Sequence, residues 1–100
     1  MEISQFQNLI EQLYGEKDST RGLDKTFMWF IEEVGELARA LHRNSSKEEL
    51  EGEFADCLAW LATIANLSNI DLEHAIEKYR NFCYKCKHNP CSCVEPGKNN

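Results

Sequence analysis

Apolar residues recur every three or four positions along almost the whole chain, and this spacing limits the fold more than any other feature of the sequence. In the first such stretch, Phe6, Leu9 and Leu13 fall on one side of a helix. No stretch alternates apolar and polar residues between turn residues, as a β-strand would. The sequence therefore predicts an all-α fold, an antiparallel bundle of about four helices.

Capping residues and breaks divide this pattern into its helices. The predicted ranges are 4–14, 23–43, 46–67 and 71–81, with a polar loop over 15–22. Ser4 with Gln7, and Ser45 or Ser46 with a following glutamate, are the expected capping boxes, and Asp71 is the expected N-cap of the last helix. The second helix is expected to bury the face that carries Leu23, Phe27, Phe30, Val34, Leu37 and Leu41.

Length and composition narrow the class of protein. A domain of 100 residues buries a modest core and often needs a staple or a partner, while a hydrophobic content of 42% is ordinary for a folded protein. A net charge of -6 argues against binding to duplex nucleic acid. The chain has no run long enough to span a membrane and no signal-peptide pattern at Met1. We therefore expect a cytoplasmic protein.

Carboxylates intrude on the apolar face of the third predicted helix. On a helical wheel Glu53 falls among Leu50, Cys57 and Leu61, and Asp56 lies one turn further on at the edge of that stripe. Burying an ionised carboxylate on a desolvated face costs roughly several kcal/mol of folding free energy unless the carboxylate is paired or binds a cation. These two side chains are therefore candidates for a functional site.

The second predicted helix carries a matching group of acids, Glu32, Glu33 and Glu36, in which Glu33 borders the apolar stripe. If the two helices are neighbours, Glu33 and Glu36 face Glu53 and Asp56. Carboxylates that repel one another in this way are usually held by a hard divalent cation with oxygen ligands. The pattern predicts a magnesium site, which manganese can also occupy.

The two acidic motifs resemble those of the MazG-like, all-α nucleoside triphosphate pyrophosphohydrolases. Glu32-Glu33-Val34-Gly35-Glu36 matches the family's Glu-Glu-x-x-Glu, and Glu53-Phe54-Ala55-Asp56 matches its Glu-x-x-Asp. Sixteen residues separate the two motifs, a gap that suits the family. The resemblance covers about residues 3–80, including the segment 16–22 and Trp29, and is closest to the short, single-domain members.

This resemblance implies a function and a set of site residues. It implies hydrolysis of the α,β-phosphoanhydride of a nucleoside or deoxynucleoside triphosphate to a monophosphate and pyrophosphate, by a homodimer or homotetramer. The implied magnesium ligands are Glu33, Glu36, Glu53 and Asp56, and Glu32 and Glu33 are the implied catalytic residues, with Glu32 helping to position water. The candidate substrate-binding residues are Trp29, Lys25, Lys78 and Arg80.

Four cysteines lie close together near the C-terminus: Cys83, Cys86, Cys91 and Cys93. Four thiolates in so short a stretch are typical of a structural zinc site, which leaves no open position for substrate. The alternatives are a redox disulfide pair, an iron site, an unoccupied site, or a zinc site in which His88 replaces one cysteine. The sequence thus predicts a helical domain over 1–82, a zinc knuckle over 83–93 and a flexible tail over 94–100.

Two other functions are compatible with helices that carry glutamates. A ferritin-like di-metal protein would need Glu-x-x-His on two helices, and that motif does not occur in this sequence. A non-enzymatic zinc-knuckle module, whose acidic helices only bind a protein partner, is the second alternative. Release of pyrophosphate in the presence of magnesium would reject it.

Overall fold

The computed structural model describes residues 1–95 and is helical throughout its ordered elements. The helices are α1 (Ile3–Arg21), α2 (Leu23–His42), α3 (Lys47–Leu67) and α4 (Leu72–Ala75), and α4 continues into a 3₁₀ turn over Ile76–Tyr79. No strand occurs within residues 1–95, so the prediction of an all-α fold with four helices is confirmed. None of the helices in this range is long and apolar enough to cross a bilayer.

The first helix is longer than predicted. We expected it to end near Tyr14 and to be followed by a polar loop, but α1 continues through Gly15 to Arg21. A single glycine inside a helix costs only about 1 kcal/mol, which an ion pair between Asp18 and Arg21 helps to offset. The break falls at Gly22, whose φ of 87° lies in the left-handed region that favours glycine.

The caps of three helices agree with the sequence only in part. Ser46 caps α3 by accepting a hydrogen bond from the Glu49 backbone N–H, and Asp71 caps α4, as predicted. At the start of α1 the predicted box from Ser4 to Gln7 is wrong. Instead the side-chain oxygen of Gln5 accepts a hydrogen bond from the Glu2 N–H at 2.7 Å.

Gln7 is buried because it links three parts of the fold. Its amide nitrogen donates to the Asn66 side chain at 2.9 Å and to the Ile70 carbonyl at 2.7 Å. Its amide oxygen accepts from the Leu72 N–H at 2.9 Å. A buried amide needs such partners, and here they fix α1 against the end of α3 and the start of α4.

Helix α3 is the centre of the fold, since α2 and α1 both pack against it. A short turn over 43–46 joins α2 to α3, so the two helices run antiparallel. The face that α2 turns inward differs from the predicted one. Thr26 and Ala40 are buried and Phe30, Glu33 and Leu37 are half-buried, whereas four of the expected core residues are exposed: Leu23, Phe27, Val34 and Leu41.

The physical reason for this difference is that α2 carries apolar residues on two adjoining faces. One face, which includes Glu33, packs against α3. The other face remains open in the single chain, and Phe54, Leu58 and Leu61 form a second open apolar stripe on α3. The wheel for α3 was more accurate, because Glu53 and Cys57 are half-buried together with Leu50 and Trp60.

The segment after the 3₁₀ turn has no regular helix up to residue 95. The division into a helical domain over 1–82 and a knuckle over 83–93 stays a prediction. Of the predicted flexible tail, 94–100, residues 96–100 lie outside the described residues.

Candidate metal centres

Three carboxylates from two helices meet where α2 packs against α3. Glu33 comes from α2, and Glu53 and Asp56 come from α3. One oxygen of each carboxylate lies within 4.8 Å of the corresponding oxygen of the other two. Glu33 and Glu53 are half-buried and Asp56 is exposed, so the group opens to solvent on one side. We call these three residues the carboxylate cluster.

Local contacts explain why the cluster forms at this place. The spacing of three between Glu53 and Asp56 puts both side chains on one side of α3. The Cys57 thiol, one residue later, donates to the backbone carbonyl of Glu33 at 3.5 Å and so links the two helices beside the carboxylates. Burial, and next the Glu33 carboxylate, raise the pKa of Cys57, so this thiol stays neutral, in keeping with the expected role of a small apolar residue.

The electrostatics of the cluster are those of an anion-rich site without a counter-charge. Burial is the main cause that raises the pKa of Glu33, followed by repulsion from Asp56 and Glu53. Within residues 1–95 no cationic side chain forms an ion pair with any of the three carboxylates. Carboxylate oxygens at these separations suit a hard divalent cation, whose charge would reverse the repulsion.

The other two predicted acidic residues lie beside the cluster and not within it. Glu36 forms an ion pair with Arg39 at 3.3 Å, and both side chains are largely exposed. Glu32 is exposed as well. Both residues lie close enough to raise the pKa of Glu33 further. The structure therefore brings three of the four predicted magnesium ligands together, with Glu36 and Glu32 at the edge.

An aromatic pocket adjoins the cluster at Asp56. The rings of Trp29 and Trp60 meet edge to face, with centroids 5.7 Å apart. The pocket has a volume of about 390 Å³ and contains Tyr14, Asp56 and both tryptophans among its lining residues. That size is within the usual range for small-molecule sites. We call it the tryptophan pocket.

The predicted substrate-binding cations divide into two groups. The Lys25 ammonium lies 5.3 Å from the centre of the Trp29 ring, and both residues also line an open groove on the surface. Lys78 instead lies over Tyr84, at 4.4 Å from the ring centre, and Arg80 lines a groove with Cys83. Neither Lys78 nor Arg80 lines the tryptophan pocket or the groove at Lys25.

The four predicted zinc ligands converge near the C-terminus. The sulfurs of Cys83, Cys86, Cys91 and Cys93 all lie within 4.8 Å of one another. The Cys83–Cys93 pair is 3.8 Å apart and the Cys86–Cys91 pair is 3.9 Å apart. A tetrahedral zinc ion with Zn–S bonds of about 2.3 Å has sulfur–sulfur edges of about 3.8 Å. The four thiols, all free, thus have the spacing of a four-cysteine zinc site. We call these four residues the cysteine group. His88 is not among them and contacts the Ser92 hydroxyl at 2.8 Å.

Hydrogen-bond donors around two of these thiols lower their pKa and so favour the thiolate form that binds a cation. The Cys86 and Lys85 N–H groups lower the pKa of Cys83. Hydrogen bonds from the Ser92 N–H and hydroxyl lower the pKa of Cys86 to about 5. The neighbouring sulfurs raise the pKa of Cys93 to about 12, with the largest effect from Cys91. Four thiols at this separation cannot all ionise to thiolates without a cation among them.

Sequence reasoning missed two residues of the tryptophan pocket. Asp18 is 4% exposed, and its Oδ1 accepts from Arg21 Nη2 at 3.0 Å. The Arg21 guanidinium also lies about 5 Å from both tryptophan rings, at 4.9 Å from Trp29 and 5.0 Å from Trp60. Their i, i+3 spacing would place them on one side of a helix, but the sequence pattern predicts a loop over 15–22, where such spacing does not bring side chains together.

The chain is thus an all-α protein with a carboxylate cluster suited to a divalent cation and a second, compact cluster of four cysteines. The chain matches the model of the MazG nucleotide pyrophosphohydrolase domain over residues 21–88, and it belongs to that family. Among curated proteins, none matches this chain. Membership of the family indicates nucleotide pyrophosphohydrolase activity, a nucleotide substrate and the use of a divalent metal.

Proposed function

We propose that this protein is a magnesium-dependent nucleoside triphosphate pyrophosphohydrolase that cleaves the α,β-phosphoanhydride of nucleoside or deoxynucleoside triphosphates. The products are a nucleoside monophosphate and pyrophosphate. The observation that carries the proposal is the carboxylate cluster, three acids from two packed helices with oxygens within 4.8 Å and no cationic partner in residues 1–95. A stable fold would not favour such a group unless a cation compensates for it.

Each acidic residue has a role in this proposal. Glu33, Glu53 and Asp56 hold the magnesium ion, and Glu36 joins them when it leaves its exposed pair with Arg39. Glu32, at the rim, orients the attacking water, with Glu33 beside it. When bound, magnesium neutralises the polyphosphate, polarises the α-phosphorus and lowers the pKa of that water. No side-chain nucleophile is required, which agrees with the neutral Cys57 thiol.

The substrate's base and phosphates have separate candidate sites. Trp29 offers an aromatic face for stacking a base, and Trp60 forms the other wall of the same pocket. Lys25, beside Trp29, is the best-placed cation for the phosphates. Within one chain, Lys78 and Arg80 line neither pocket at Trp29. They remain candidates for substrate binding only in an assembly that places them beside the carboxylate cluster of another chain.

We also propose that the protein is a homodimer or homotetramer. A monomer of 11.6 kDa is expected to expose about 5800 Å², whereas this chain exposes 7924 Å². The apolar stripes that remain open on α2 and α3 include Phe27 and Phe54, which are 51% and 56% exposed. The difference in area exceeds the roughly 800 Å² that each partner buries in a standard interface. A second copy of the chain would cover these stripes.

The cysteine group is proposed to bind one structural zinc ion. All four ligands come from a segment without regular secondary structure, and its sulfur spacing fits tetrahedral coordination. Four protein ligands leave no position for water or substrate, so zinc here stabilises the segment and takes no part in hydrolysis. Free thiols that bind zinc suit a reducing compartment, and we propose a cytoplasmic location.

The proposed reaction is tested by its products. The purified protein is incubated with each of the common ribonucleoside and deoxynucleoside triphosphates, with magnesium and with chelator, and both products are resolved by anion-exchange chromatography. We expect pyrophosphate and monophosphate in equal amounts, only when magnesium or manganese is present. Orthophosphate as the first product would contradict attack at the α-phosphorus. No product from any triphosphate would favour the non-enzymatic zinc-knuckle module.

A further inference from the structure

Asp18 is a buried carboxylate in the tryptophan pocket with one oxygen that has no partner. Its residue is 4% exposed, and it lines the pocket with Trp29, Trp60 and Asp56. Oδ1 accepts from Arg21, but Oδ2 has no hydrogen-bond partner among the described residues. It is the one buried side-chain oxygen or nitrogen in that part of the chain of which this is true. An unpartnered buried oxygen is costly, which points to a donor from a ligand.

The neighbours of Asp18 hold it in this orientation. Arg21 Nη2 contacts Oδ1, while Arg21 Nη1 donates to the Thr26 hydroxyl at 3.0 Å. The Thr26 hydroxyl in turn donates to the Gly22 carbonyl at 2.7 Å. The guanidinium is also held over both tryptophan rings. Arg21 is thereby fixed on the Oδ1 side of the carboxylate, and the buried Oδ2 is left without a donor among the described residues.

The position of the pocket identifies the ligand group, on the basis of the proposed function. Its wall includes Asp56, a member of the carboxylate cluster, so a nucleotide whose phosphates reach that cluster can place its base against the aromatic wall of the pocket. Aromatic walls hold any base by stacking but do not distinguish among bases. Discrimination among bases needs a hydrogen-bonding group, and Asp18 is a charged hydrogen-bond acceptor in the lining of this pocket.

We propose that Asp18 determines base specificity, and that its Oδ2 accepts a hydrogen bond from the exocyclic amino group of cytosine or adenine. An ionised carboxylate can only accept hydrogen bonds. It therefore attracts an amino group and repels the carbonyl oxygen that uracil, thymine or hypoxanthine has at the same place. The ring N–H of uracil lies between two carbonyl oxygens, so it is a poor substitute for the amino group. Asp18 precedes the residues matched by the family model.

Binding can be measured without hydrolysis. The chain has two tryptophans, and both line this pocket, so quenching of their fluorescence reports its occupancy. The probes are α,β-methylene analogues of dCTP and dUTP, and of dATP and dITP, with magnesium. Within each pair the exocyclic amino group is exchanged for an oxygen. We expect the amino-bearing member to bind at least about tenfold more tightly, the size of a hydrogen bond to a charged group.

The variant Asp18→Asn sharpens the test. Arg21 should keep the amide oxygen on its side, so the amide nitrogen would take the place of Oδ2 and donate to a carbonyl. The preference should then fall or reverse in favour of dUTP and dITP. Asp24→Asn, an exposed acid in the first turn of α2 that lines neither pocket at Trp29, is the matched control and should keep the parent's preference.

Several outcomes would overturn the inference. Equal affinities of the parent within both pairs would do so without any variant, and this result stands even if Asp18→Asn fails to fold. A folded Asp18→Asn protein with the parent's ratio, or failure of all four analogues to quench, would also overturn it. If triphosphates are hydrolysed without preference for amino-bearing bases, the proposed function stands and this inference fails. If the analogues bind with the expected ratio but no triphosphate is hydrolysed, the reverse holds.

Discussion

The two candidate metal centres are built in opposite ways. The carboxylate cluster takes Glu33 from one helix and Glu53 and Asp56 from another, and helix packing holds its members in place. The cysteine group takes all its ligands from one short segment between residues 83 and 93, where the backbone has no regular helix. The first site thus depends on the tertiary fold, whereas the second has only local hydrogen bonds, such as that from the Cys83 N–H to the His88 carbonyl at 2.9 Å, besides its ligands.

This difference indicates what a metal ion would do at each candidate centre. At the carboxylate cluster, burial and then repulsion from the neighbouring acids raise the pKa of Glu33, so its ionised form costs free energy in the folded state when no cation is bound. That cost is typical of a functional site. In the cysteine segment a metal would supply the folding free energy that a core supplies elsewhere. Removing the metal should therefore stop activity at the first site and unfold the chain locally at the second.

The largest expected effect concerns the cysteine segment. We expect about one zinc per chain, and none after replacement of both Cys83 and Cys86 by Ser, because that change removes two of the four ligands. The effect is large because structural zinc contributes on the order of 10 kcal/mol to the folding of such segments. Elemental analysis of protein grown in metal-depleted and in zinc-supplemented medium measures this. Helical circular dichroism should change little, because the core residues Ile10, Ala40 and Ala62 lie elsewhere. Absence of zinc under both growth conditions would contradict the assignment.

The next effect concerns activity at the carboxylate cluster. Glu53→Gln should lower kcat/KM by at least about a hundredfold, since even residues that only support a metal ligand cost ten- to a hundredfold. Glu51→Gln, an exposed acid on the same helix outside the cluster, is the control and should keep the parent's rate. Zinc content should be unchanged in both variants. A fully active Glu53→Gln protein would mean that Glu53 is structural and the magnesium site is misplaced.

The smallest effect is on the stability of the metal-free fold. Because the folded state raises the pKa of Glu33, this residue favours folding at pH below its unfolded pKa, and that contribution is lost as pH rises through its folded pKa. With chelator at neutral pH, Glu33→Gln should therefore be as stable as the parent or more so, by up to about 1 kcal/mol. We expect the same sign for Glu53→Gln, which removes one of the repelling charges.

Thermal melts with chelator, at pH values from about 4 to 7, measure this effect. The advantage of Glu33→Gln should shrink as the pH falls, because the parent's carboxyl becomes protonated. With magnesium the order should reverse, since the parent gains binding energy that the variant has partly lost. If either variant melts well below the parent in chelator, the carboxylates stabilise the metal-free fold and are not a site of functional strain.

Local pattern was enough to predict some parts of this molecule and not others. The position of Glu53 on the packed face of α3 followed from the helical wheel alone, because its neighbours Leu50 and Cys57 mark that face. The cysteine group followed from spacing along the chain. Family resemblance was needed to predict the reaction, since acidic residues on two helices do not specify a triphosphate.

Other parts depend on contacts between distant residues. The inward face of α2 was misjudged because Leu23 and Phe27 are as apolar as the residues that pack, and only tertiary contacts decide between the two faces. Asp18 was overlooked because its burial depends on α1 continuing past Gly15 and on the position of Trp60 in α3. The polar composition of residues 15–22 does not by itself predict either condition.

We propose that the carboxylate cluster directs water to the α-phosphorus, and the fate of the water oxygen distinguishes this attack from attack at the β- or γ-phosphorus. Hydrolysis in water labelled with heavy oxygen, followed by mass spectrometry of both products, locates the bond that breaks. We expect the label in the nucleoside monophosphate and not in pyrophosphate. Glu53→Gln should give little labelled product, while Glu51→Gln should give as much as the parent. Label in pyrophosphate, or undiminished labelling by Glu53→Gln, would contradict this proposal.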